Sequence, residues 1–158
     1  MDPSTVVHFM DTDDFLKHWQ GHRALTRRVI EAFPDEHLFT FSIGGMRPFG
    51  ELVQEMLGIA VPMVRGMITD EWTEFSDGTA SSKKELLRLW DADTKALDEL
   101  WPSVPKARFA ETFTSFGQFT GPGYEQLLYV MDNEVHHRGQ GTVYLRALEI
   151  EPPAFWER

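Results

Sequence analysis

The chain has 158 residues, 42% of them apolar and including 12 Phe and 5 Trp, which is enough for one domain with a sizeable core and argues against disorder. Its 25 acids against 15 bases give a formal net charge of −10, a field that repels phosphate backbones and argues against a nucleic-acid partner. With no cysteine, disulfides, zinc–thiolate sites and thiol nucleophiles are excluded, and any metal must be held by imidazole, carboxylate, amide or water.

The absence of thiols fits a cytoplasmic protein. The opening stretch MDPSTVVHFMDTDD lacks the basic region and apolar run of a secretory signal. No segment is expected to reach the ~20 apolar residues of a membrane span, so no membrane partner is expected.

The first helix is predicted from about Thr12 to Phe33. Phe15, Trp19, Thr26, Ile30 and Phe33 share one face, Asp11 or Thr12 caps the start, and Pro34 ends it. Arg23, Arg27 and Arg28 form a basic cluster on it. Its His18 and His22 stand four residues apart, a spacing that suits either a solvent-side pair or two metal ligands in need of a third. A loop punctuated by Gly44 and Gly45 leads to a second helix beginning near Pro48. That helix buries Phe49, Leu52, Val53, Met56, Ala60, Met63, Val64 and Met67. Pro62 removes a backbone hydrogen bond, which predicts a kink or an early end.

After a polar stretch with a turn signal at Asp77-Gly78, Ser82 and Glu85 form a capping box for the third helix. Leu86, Trp90, Asp93, Leu97 and Leu100 line one side of it, and Pro102 stops it. A long connection over 103–121 follows. Phe109, Thr112 and Phe116 suit extended structure there, so a short hairpin is weighed against irregular chain. The fourth helix is predicted from about Tyr124 to Leu148. Four amphipathic helices with little strand signal predict an all-α four-helix bundle with two long connections, in a single domain over 1–158.

The chemistry concentrates in DNEVHHRGQ, Asp132 to Gln140. Glu134 and Arg138 fall on the core-facing stripe four residues apart, in the order that favours an ion pair. Asn133, His137, Gln140 and Tyr144 form a second stripe about 100° round, a polar seam of the kind that carries metal or cofactor sites inside bundles. His136 falls on another side, toward solvent. A seam histidine is also a common packing residue, so both readings of His137 stay open at this point. No G-x-S-x-G, G-x-G-x-x-G or P-loop occurs, so neither a serine-hydrolase elbow nor a nucleotide cofactor is expected.

The segment NEVHHRGQGTVYLRALEIEPPAFWER, with MRPFGELVQEML before it, resembles the DinB/YfiT-like superfamily of damage-inducible-type four-helix proteins. The resemblance covers nearly the whole chain. It implies a divalent metal (Zn, Ni, Mn or Fe) held by three histidines, a cytoplasmic stress-associated role and a homodimer. Carried over position by position, the three ligands fall on Glu55, Asn133 and His137, with Gln54 as the register alternative for the first. Only one of the three is still a histidine. Gln54, Glu134, Arg138, Gln140 and Tyr144 are expected around them.

Two functions follow from that resemblance. One is a degenerate site with weak or absent metal that binds a small molecule or a partner. The other is a divalent-metal-dependent hydrolase or low-molecular-weight-thiol S-transferase. Ligand count and softness favour the first.

Overall fold

The computed structural model describes residues 9–72 and 80–158; the predicted Asp77-Gly78 turn lies outside them. Its helices are α1 (Thr12–Ala32), α2 (Asp35–Leu38), α3 (Phe49–Thr69), α4 (Lys83–Leu100) and α5 (Gly123–Ala147). Asp11 caps α1 by accepting from the Asp14 N–H at 2.8 Å, and Ser82 caps α4 by accepting from that of Glu85 at 3.2 Å. The architecture is an all-α bundle of four long helices, in which α1 and α3 each pack on both α4 and α5.

Two local expectations need correcting, and a third, the hairpin, is met with part of its residues placed elsewhere. Of the two outcomes expected at Pro62, the early end does not occur: α3 runs 21 residues through it, because burial on both neighbouring helices outweighs one lost hydrogen bond. α3 is also long and apolar enough by composition to cross a membrane, contrary to the expectation that no segment would be. Most of its apolar window is buried by the other helices. In the long connection, single turns of 3-10 helix at Trp101–Ser103 and Lys106–Phe109 precede a two-stranded antiparallel hairpin, β1 (Thr112–Ser115) and β2 (Phe119–Pro122). Of the residues expected to be extended there, Thr112 is in a strand. Phe109 sits in a 3-10 turn and Phe116 in the hairpin loop.

The apolar core falls into two clusters. One gathers Trp19, Ile59, Met63, Leu97, Trp101 and Leu127, and the other Phe33, Phe49, Val53, Trp90, Tyr144 and Leu145. On α1, α4 and α5 the residues between the two are polar: His22, Arg23 and Thr26; Asp93 and Thr94; Glu134, His137 and Arg138. This polar layer crosses the middle of the bundle, where each group must find a partner. Arg23 is wholly buried. It stacks on Trp90 at 3.9 Å, donates to the Thr94 hydroxyl at 2.8 Å, and faces Asp93 at 3.7 Å and Glu134 at 3.8 Å. The predicted basic cluster on α1 is therefore divided: Arg23 goes inward, Arg27 to Asp91 and Glu31, and Arg28 to Glu157.

Two groups in the layer titrate in opposite senses. Burial pushes the Asp93 carboxyl up to about 6 against the opposing charges of Arg23 and Arg65. Burial, with Arg138, Arg158 and His18 adding to it, pulls the His22 imidazole down to about 4. Between pH 4 and 6 the native state holds a proton on Asp93 that the unfolded chain does not, so this contribution to stability falls as pH rises. Below pH 6.5 the unfolded chain protonates His22 and the native state resists until about 4, so that contribution falls as pH drops. The two slopes oppose each other. We expect the stability of Asp93→Asn, relative to the parent, to rise from pH 4 to 6 in urea titrations, and that of His22→Gln to fall over the same window.

Candidate functional site

α3 and α5 run antiparallel, which sets the first turns of α3 beside the second half of α5. The Glu55 carboxylate lies at the centre of their seam. Its Oε1 accepts from Asn133 Nδ2 at 3.0 Å and lies 3.1 Å from His137 Nε2, and its Oε2 accepts from the Arg47 guanidinium. His137 Nδ1 lies 2.6 Å from Gln140 Oε1, and Gln140 in turn donates to the Met46 sulfur at 3.2 Å. Both ring nitrogens of His137 thus face acceptors, and the ring donates at both only when it carries two protons. The Tyr144 hydroxyl donates to the Arg47 carbonyl at 2.9 Å, which ties the 46–48 stretch to α5. Burial pushes the Glu55 carboxyl up, but the hydrogen bonds from Asn133, Arg47 and His137 outweigh it and hold it below the usual value for a glutamate.

Residues 133, 137 and 140 recur at helical spacing, so α5 presents them on one flank. Residues 134 and 138 lie about 100° away and turn toward α1. The structure brings Glu55, Asn133, His137 and Gln140 together. Gln54 takes no part in these contacts. Tyr144 is fully buried in the core, with its ring edge-on to Phe41.

The expected Glu134–Arg138 ion pair is not formed. Glu134 accepts from Trp19 at 3.2 Å and from the Thr26 hydroxyl at 2.7 Å. Arg138 reaches the His22 carbonyl at 3.1 Å, the Thr26 hydroxyl at 3.1 Å and His22 Nδ1 at 2.9 Å. Thr26 therefore stands between the two charges, because α1 packs where a direct pair would close. His22 is also not a solvent-side residue. It is buried, with its Nε2 3.2 Å from that of the exposed His18, and Arg138 and Arg158 at its ring take the place of a third metal ligand.

Sequence reasoning missed Arg47 altogether. Its position in MRPFG, eight residues before Glu55 at the mouth of α3, was the available signal, since a loop just ahead of a helix folds back on its first turns.

The donor set does not fit a metal centre of three imidazoles. It offers one imidazole, one amide and one carboxylate, and the carboxylate already binds a guanidinium where a cation would need its charge. Among the described residues no group of three or more His, Cys, Asp or Glu side chains is arranged to hold a metal ion.

A four-helix bundle with a polar seam between its second and fourth long helices, α3 and α5, defines the class of this protein. The family model for the DinB family matches residues 8–158, and the chain belongs to that family. In structure it is similar to a DinB-like protein from Bacillus cereus ATCC 10987, with TM-score 0.77, 19% identity, and coverage of 94% of this chain and 100% of that one. A DinB-like protein from Bacillus subtilis gives TM-score 0.70 at 21% identity, covering 90% and 97%. A mycothiol-dependent maleylpyruvate isomerase shares the fold at TM-score 0.63 and 14% identity, over 86% of this chain and 62% of the isomerase. No curated protein matches the sequence.

Proposed function

We propose that this protein is a DinB-family member whose seam has exchanged metal coordination for a hydrogen-bonded cluster, and that it binds a small organic molecule there. The observation that carries the reading is the Glu55 carboxylate, shared by Asn133, His137 and Arg47. The cluster is reachable: the Glu55 side chain is 28% exposed and that of Arg47 48%. A bound polar molecule can exchange hydrogen bonds with both without dismantling the bundle, because Asn133, His137 and Gln140 are fixed by the helix that bears them.

Metal content separates this reading from a divalent-metal-dependent hydrolase or thiol transferase. Protein purified without chelator is expected to carry metal far below one equivalent, and added Zn, Ni or Mn is expected to leave its melting temperature unchanged. Near-stoichiometric metal that disappears in His137→Ala would establish the enzyme reading instead. In this family reading Arg47→Ala frees the carboxylate, so this variant is expected to gain divalent-ion affinity over the parent in calorimetric titration.

A further inference from the structure

One turn beyond the seam, the same two helices and the hairpin form a half-open pocket of about 160 Å³. Ile59 lies four residues past Glu55 and Tyr129 four before Asn133, each about 6 Å along its helix. The walls are Ile59 and Met63 from α3, Tyr129 from α5, and Phe116 and Phe119 from the hairpin. Phe119 and Tyr129 stack at 5.8 Å and 29°. Phe116 and Gly117 both hold left-handed backbone, with φ 52° and 66°, so the turn accepts a conformation that bulky L side chains avoid and keeps an aromatic ring at the wall. Trp72 sits behind it, stacked on Phe113 at 5.4 Å and edge-on to Phe116 at 5.3 Å.

The polar groups at the floor are already paired. The Ser115 hydroxyl donates to Gln126 Oε1, and both Gln126 amide hydrogens go to the carbonyls of Phe113 and Gly121 at 2.9 Å. They pin the hairpin to α5 and leave no donor that calls for a polar occupant. The pocket is open to solvent on one side, and its volume is close to that of an apolar cavity that takes one benzene ring, so the size and lining match a single aromatic ring. Among the described lining residues the one charged side chain is that of Glu125, at the exposed rim.

We propose that the cavity between the hairpin, α3 and α5 is a binding site for one aromatic ring carrying a short cationic arm, with the ring against Phe119 and Tyr129 and the arm toward Glu125. The proposal does not depend on the chemistry of the Glu55 seam.

The test is a ligand-observed NMR titration of the full chain with benzylamine, benzyl alcohol, benzoate and methylamine. Benzylamine is expected to bind saturably and roughly tenfold more tightly than benzoate at low salt, with benzyl alcohol between them and methylamine, which has no ring, not saturating. Glu125→Gln is expected to abolish the preference for benzylamine over benzoate while keeping ring binding. Phe119→Ala with Tyr129→Ala is expected to abolish binding of all three rings. Both residues are exposed, and thermal unfolding of the double variant checks that the bundle is intact. Tyr129→Ala alone, expected to weaken all three rings, serves if the double variant unfolds.

Glu55→Gln is expected to leave the affinities as they are, so a failed seam and a failed ring site give different results. The assignment is overturned if no ring binds saturably, if methylamine matches benzylamine, if benzoate binds more tightly than benzylamine, if removal of the walls changes nothing, or if Glu55→Gln abolishes ring binding.

Discussion

Glu134→Ala is expected to lower folding stability by about 3–5 kcal/mol, seen as a lower urea midpoint and a melting temperature depressed by roughly 10 °C. Glu134 is 2% exposed and stands in the layer between the two apolar clusters. Removing it leaves Trp19 Nε1 without its acceptor and the Thr26 hydroxyl without its shortest one. It also leaves Arg23 with Asp93 as its remaining carboxylate, at 3.7 Å, and Arg138 with no anion across Thr26. Two buried guanidiniums short of negative charge cost more than the methylenes removed. Glu134→Gln keeps an acceptor for Thr26 and the side-chain volume, so its loss is expected to be clearly smaller. Equal losses for the two variants would show that the charge contributes little.

The two glycines late in α5 are expected to respond with opposite signs. A Cβ at Gly141 would sit 2.5 Å from the Phe49 ring, which is fully buried and stacked on Phe33 at 4.9 Å. That ring has nowhere to go, so Gly141→Ala is expected to cost about 1–3 kcal/mol despite its better helix propensity. A Cβ at Gly139 meets nothing within 4 Å, and Gly139→Ala is expected to stabilise the chain by about 1 kcal/mol. Urea titrations of both variants check the signs. A loss at Gly139 would mean that a second copy approaches α5 at its exposed face, beside Val135 and Val143; light scattering of the two variants would then show dimer lost in Gly139→Ala alone.

The sequence carried the helices because their information is local and periodic. Apolar residues three and four apart marked the buried stripes of α1, α3 and α5, and Asp11 and Ser82 carried their capping chemistry in the residue type itself. The register of the seam was legible for the same reason: positions 133, 137 and 140 share a flank whatever packs on it. The position of Glu55 came from the family resemblance, and the antiparallel packing of α3 on α5 sets it opposite Asn133 and His137.

Helical periodicity gives the direction in which a side chain points but not what meets it. Glu134 and Arg138 had the spacing of an ion pair, yet α1 brings Thr26, Trp19 and Arg23 into the space between and around them, and the pair is divided among those partners. Arg47 has no period to betray it, because it lies in a loop whose course follows from where Tyr144 and Glu55 stand. The sequence by itself determined the family, the four long helices and the residues that share each face. Tertiary packing alone decided which charges meet, why the Glu55 carboxylate is already satisfied, and where a ring-sized cavity remains. Each of these depends on contacts between residues far apart in the chain, and local pattern does not encode them.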